Sequence, residues 1–171
     1  MFPKIIKLIL AVAFLLYGGY EFYENYIGNG IFLTLLSLIM VLVYFKNEMI
    51  FLAFLRLRKQ DFIGTERWLN KIKNPDSSLV RKQQGYFYYL HGIIQSQNNL
   101  TVAEKHFKKA IQLGLSMTHD LAMAKMSLAG IMMQKRRKRE STALLNEAKK
   151  LDKHGMLKDQ IKMMQQQMKR I

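Results

Sequence analysis

Cysteine is absent from this 171-residue chain, which excludes structural disulfides, thiolate nucleophiles and cysteine-ligated zinc. Proline occurs only twice, and the abundance of Leu, Met, Lys and Gln beside it points to helix throughout. The four histidines, His91, His106, His119 and His154, are scattered and make no close ligand spacing, so neither a metal nor a cofactor is expected. The sequence has no phosphate loop, nucleophile elbow or paired carboxylates, which points away from an enzyme and from a small-molecule substrate. Acidic side chains are also scarce, 12 against 27 basic ones, for a net charge of +15. Residues 1–55 hold three basic and three acidic side chains, so the other 116 residues carry the whole excess. A neutral apolar module is joined to a strongly basic one.

The apolar module contains two runs. Between Lys7 and Glu21 there is no charge, and a helix from Ile5 to Tyr23 would reach about 28 Å. Asn25-Tyr-Ile-Gly-Asn-Gly30 is a turn by composition. The second run, Ile31 to Phe45, is only about 22 Å long as a helix. It therefore spans a bilayer only if the helix continues to about Leu55, with Lys46 and Glu48 near the headgroups and Lys7 snorkelling at the start of the first span. A cleaved signal peptide would begin with a similar run, but Tyr17-Gly-Gly-Tyr-Glu-Phe is a poor cleavage site. The expectation is a transmembrane hairpin over 1–55, with spans at about 5–23 and 31–55. Lys4 and Lys7 precede it, Arg56, Arg58 and Lys59 follow it, and its loop carries only Glu21 and Glu24. That asymmetry predicts an integral membrane protein, of the bacterial inner membrane, with both termini and the basic domain 56–171 in the cytoplasm.

Past Lys59 the chain reads as helix pairs, at about 49–73, 79–113 and 119–151, closed by a capping helix at 156–170. In Thr101-Val-Ala-Glu-Lys-His-Phe-Lys-Lys-Ala110, the residues Ala103, Phe107 and Ala110 share one helix face. Thr101 and Glu104 form a capping-box pattern at its start, and Gly114 is a stop. Ser141, Leu145 and Ala148 repeat that face 38 residues later, and Leu90 and Ile94 match Leu128 and Met132 at the same offset. An earlier copy offers Thr65, Leu69 and Ile72. The last helix carries Leu157, Ile161, Met164 and Met168 as a one-sided stripe, suited to covering the open end of a stack.

With these residues in place, the segment 49–151 resembles the tetratricopeptide repeat family. It departs from the family at His91, where a small residue is usual, at Asn98 and Arg136, where glycine is usual, and in an offset of 38 rather than 34. The resemblance implies a binding scaffold whose first helices form a concave groove. Carried onto this chain, it places Tyr88, Gly92 and Gln95 inward in the middle copy, and Met123, Met126, Gly130 and Met133 in the third. Such a lining suits apolar or helical partners. It lacks the Lys, Arg and Asn of the family's carboxylate clamp, which argues against chaperone tails. The same methionines also fit plain core beside the last helix, since nine of the 12 in the chain follow residue 116.

Lys135-Arg-Arg-Lys-Arg139 is the densest charge run. The five cations Lys135, Arg136, Arg137, Lys138 and Arg139 on one turn favour an anionic partner, either acidic membrane lipid or ribosomal RNA by charge alone, or they are simply solvated. The expectation is thus an all-α chain, a two-helix transmembrane hairpin followed by a short TPR-like α-solenoid with a C-terminal capping helix. Its expected work is to bind a partner protein at the cytoplasmic face as a scaffold or adaptor, an accessory subunit of a membrane complex. The alternative is an electrostatic tether docking ribosomes, another anionic assembly or acidic lipid.

Overall fold

The computed structural model describes residues 4–45 and 48–170, and every regular element among them is a helix. In chain order these are α1 (Lys4–Tyr23), α2 (Ile27–Phe45), α3 (Glu48–Arg58), α4 (Phe62–Leu69), α5 (Pro75–Ser78), α6 (Arg81–Gln95), α7 (Leu100–Leu113), α8 (Thr118–Gln134), α9 (Lys138–Leu151) and α10 (Lys158–Arg170). The chain divides into two compact units, Met1–Glu48 and Met49–Ile171.

The first unit is the antiparallel pair α1 and α2. Asn25 turns the chain in the left-handed region at φ 65°, which asparagine tolerates better than most residues. Small residues make the seam between the two helices. Ala11 is buried, Ser37 is buried and donates to the Ala11 carbonyl at 2.8 Å, and Gly18 lies so close to Leu33 that an added Cβ would meet its Cβ at 3.3 Å. The large apolar side chains of α1 and α2 therefore point outward. Among the described residues from Ile6 to Ile39, 18 large hydrophobic side chains are exposed, including Leu16, Tyr23, Ile27 and Phe32.

The transmembrane hairpin expected from the sequence is corrected here. Among the described residues, no helix is long and apolar enough to cross a membrane. The first helix holds Lys4, Lys7 and Glu21 within its own 20 residues. The second expected span needed residues up to Leu55, yet Ile50 and Ala53 of that extension are buried in the core of the second unit. The membrane assignment, the inner-membrane location and the placement of both termini and the basic domain at the cytoplasmic face all rested on those spans and are withdrawn with them. Lys46, expected near the headgroups, lies outside the described residues, as does the side chain of Lys7.

The second unit is a stack of helix pairs, α3 with α4, α6 with α7 and α8 with α9, followed by α10. Its organising feature is a face repeated at 38 residues. Thr65, Leu69 and Ile72, then Ala103, Phe107 and Ala110, then Ser141, Leu145 and Ala148 are all buried, seven of them completely so and the other two nearly. Small residues at the first position bring α7 close to α6 and α9 close to α8, while α3 and α4 share a core through Ile50, Ala53 and Leu69. The hydroxyls that two of the small residues carry are satisfied, Thr65 donating to the Asp61 carbonyl at 2.7 Å and Ser141 to that of Ala129 at 2.9 Å. Consecutive pairs join through the first helices. Leu90 and Ile94 pack into the pair before them, with Ile50, Ala53 and Leu69, and Leu128 and Met132 pack likewise with Tyr89, Ala103 and Phe107.

The helix starts differ from the sequence expectation in one instructive place. α7 is capped by Asn99, whose side chain accepts from the Thr101 and Val102 amides at 3.0 and 3.1 Å, so the helix begins two residues before the Thr101 cap expected. Asparagine is the stronger cap, and using it frees Glu104 for other partners. Gly114 ends the helix at φ 81° as expected. At α4, Asp61 caps the Gly64 amide at 2.7 Å, so close that a Cβ on Gly64 would make the Asp61 carboxylate shift.

If the first pair is an integral part of the stack, Leu69→Ala should cost about 2–5 kcal/mol in chemical denaturation. Ile63→Ala, on the same helix but 67% exposed, should stay within about 0.5 kcal/mol.

Candidate functional site

The five residues expected to line a groove do not share one lining. Tyr88 is half-buried between rings, 5.4 Å from Phe87 and 5.9 Å from His106, and its hydroxyl accepts from the Lys109 ammonium at 2.6 Å. It ties α6 to α7. Gly92 does the same by closeness, since a Cβ on it would meet the Phe107 ring at 3.0 Å. Gln95 is half-buried at the end of α6, its carbonyl accepting from the Asn98 and Asn99 amides. Met123, Met126 and Met133 pack in a cluster with Leu157, Ile161, Met164 and Met168 of the last helical segment. Gly130 joins them, at 3.4 Å from the Met164 methyl for an added Cβ. The methionines of α8 are the seat of α10.

The basic run divides by the direction its side chains take. Glu104, 7% exposed, sits at the start of α7 beneath the turn between α8 and α9. Its carboxylate accepts from Lys108 at 2.6 Å, Lys135 at 2.7 Å and Arg137 at 2.8 Å. Lys135 also reaches the Thr101 hydroxyl at 3.2 Å, and Arg137 holds Glu140 by two nitrogens at 2.7 and 2.6 Å. A carboxylate almost out of water is stabilised as an anion by those donors. Lys108 and Lys135 foremost, with Arg137 behind them, hold its pKa down to about 2 against the opposing effect of burial. Lys135 and Arg137 are thereby structural cations that fasten the third pair to the second. Arg136, Lys138 and Arg139 stay exposed on the other side of the turn.

A second link between those pairs runs from the Tyr86 hydroxyl to the Asp120 carboxylate. Burial first, and then Asp120, pushes the Tyr86 pKa up to about 12, so the phenol remains the donor at every physiological pH. The imidazoles of His91 and His106 stack at 5.5 Å, with Phe87 4.5 Å from His91 on another side. Burial chiefly, aided by His106, pushes His91 down to about 4, and His106 is lowered by burial and by Lys109. His91 occupies the half-buried place where the equivalent Ala53 and Ala129 are fully buried, so it is a neutral packing group. Neither histidine belongs to a metal-holding group, of which there is none among the described residues.

Open clefts lie among the described residues. One of about 370 Å³ lies over α7, α8 and α9, with Ile111, Leu128, Met132 and Leu144 in its lining and Lys108, Glu140 and Glu147 beside them. One of about 470 Å³ lies by α4, where the Lys71 ammonium rests 3.7 Å above the Trp68 ring near Arg56 and Arg67. A third, between α9 and α10, is lined by Lys138 and Lys162. The arrangement offers cations, amides and apolar patches, the means of binding. Sequence reasoning missed Glu104 as an anchor. The available signal was an acid beside the buried Ala103 in a chain with so few acids. Comparison with protein-family models, curated proteins and solved structures finds no match for this chain.

Acid stability separates the two clusters. Both His91 and Glu104 have depressed pKa values in the folded state, so each holds fewer protons folded than unfolded and stability falls as pH drops. For His91 the window runs from about 6.5 to about 4, and for Glu104 from about 4.5 to about 2. A melting-temperature profile should therefore decline in two arms. His91→Leu should make the upper arm shallower, leaving the share that His106 carries, and should not change the lower arm. Glu104→Gln should flatten the lower arm and cost about 2 kcal/mol at neutral pH through the charge-assisted bonds it loses.

Proposed function

We propose that this chain is a non-catalytic scaffold that holds a partner protein, with the hairpin of α1 and α2 as its docking element and the helical stack as the part it presents. The observation that carries this reading is the hairpin surface. Its seam is made of small residues, so two helices use up Ala11, Gly18 and Ser37 in meeting and leave 18 large hydrophobic side chains facing outward. Contiguous apolar surface on that scale marks an interaction site, because leaving it in water costs about 25 cal/mol per Å². A partner with a matching apolar helical face covers it.

The stack supports the same reading in a different way. Helix pairs joined only to their neighbours make an extended surface rather than an enclosed pocket, and such surfaces serve recognition. The resemblance to tetratricopeptide repeats, drawn from the 38-residue face, fits a scaffold as well. The expected methionine groove has no part in it, since α10 rests on those side chains.

Photo-crosslinking residues placed at Leu16 and Phe32, both exposed, test the reading in cells. The expected result is one defined protein adduct from both positions at near-stoichiometric yield, abolished by Leu35→Glu with Leu38→Glu. Adducts with lipid alone, or a smear of many proteins unaffected by those substitutions, would overturn it.

A further inference from the structure

Glu104 accounts for Lys135 and Arg137, but the fold gives no such employment to the residues between and after them. Arg136 is held at φ 58°, in the left-handed region that L side chains rarely adopt. Arg136 borders a small hollow with Met133, Lys138 and Met168. Lys138 and Met168 are shared with the adjoining cleft of about 370 Å³, whose other lining residues are Thr142, Lys162, Gln165 and Gln166. Lys138 lies on α9 and Lys162 on α10, so two helices bring cations to one opening. No acidic side chain lines either hollow. Glu140, one turn from Arg136, is engaged by Arg137. Like charges gathered without a counter-ion are relieved by an anion.

We propose that the α9–α10 cleft binds the phosphodiester backbone of single-stranded RNA, with Arg136, Lys138 and Lys162 each holding a phosphate. This goes beyond the scaffold reading and does not depend on it. Three features favour an RNA strand over other anions. The cations are distributed along an open cleft rather than converging on one phosphate, and only one of them is an arginine, whereas a phosphorylated side chain is gripped by clustered arginines. The Gln165 and Gln166 amides offer the donors and acceptors that a ribose 2′-hydroxyl needs, and the Thr142 hydroxyl, which donates to the Lys138 carbonyl, adds an acceptor. The lining has no aromatic residue on which bases would stack, so recognition is of the backbone and tolerant of sequence. The excess of +15, which lies beyond residue 55, adds long-range attraction.

The test is fluorescence anisotropy of a labelled 12-nucleotide oligouridylate against the full-length chain in non-ionic detergent. Three phosphate contacts to a single strand predict a log–log salt slope of about −2, or roughly 20-fold weaker binding between 50 and 200 mM salt. Arg136→Gly, Lys138→Gln and Lys162→Gln should each reduce the slope by about 0.7. Arg136→Gly also relieves the left-handed backbone, so its melting temperature should hold or rise while RNA binding falls. Lys149→Gln with Lys150→Gln removes two exposed charges of α9 outside the cleft and should change the slope far less. Four results would overturn the proposal: no binding at 50 mM salt, an equal loss from the Lys149 and Lys150 control, equal affinity for oligodeoxythymidylate, or stronger competition by a phosphopeptide than by RNA.

Discussion

Close approach at a small residue is the constraint on which the helical stack rests. Ala103 and Ser141 stand where α7 meets α6 and α9 meets α8, and a larger side chain there would hold the helices apart. Leu69, Phe107 and Leu145 then fill the space that closeness creates, and Ile72, Ala110 and Ala148 complete the face. Interiors packed this tightly leave little room for change in volume. The hairpin of the first unit obeys the same rule through Ala11, Gly18 and Ser37, with the opposite outcome for its outer surface. In the stack the next pair covers what the contact leaves exposed, whereas in the hairpin the large side chains stay in view.

Electrostatics adds direction to this packing. A chain with 27 basic and 12 acidic side chains has few acids to spend, and it places one of them, Glu104, almost out of water between two helix pairs. Removing one partner from such a buried group costs more than the group contributes as a pair, so the arrangement specifies position more than it adds stability. Glu104 also sorts the basic run, drawing alternate side chains inward and leaving Arg136, Lys138 and Arg139 outside. A stretch that looks uniform as a string of letters is two-sided in space.

The helical content and the 38-residue face were legible in the sequence, because both depend on spacing along one helix. Three things were not. The run from Ile31 to Leu55 looked continuous, although its last third belongs to a different core, where Ile50 and Ala53 meet Leu69 and Leu90. Apolar composition alone does not say which apolar surface a segment will meet. The methionines of α8 were open to two readings, and only the position of α10 places them against Ile161 and Met164. The start of α7 offered Asn99 and Thr101 as rival caps, and the stronger acceptor prevailed. Contacts made across 31 and 33 residues, as Glu104 makes with Lys135 and Arg137, leave no periodic trace.

The constant spacing of the buried face has a mechanical side. Each pair touches only the pairs beside it, so the stack behaves as a row of similar joints in series, and small rotations at each joint add along the row. Such a body bends before it breaks, and under tension it would come apart from an end, one pair at a time. The Tyr86–Asp120 bond and the Glu104 cluster both bridge the joint between the second and third pairs, and they stiffen it.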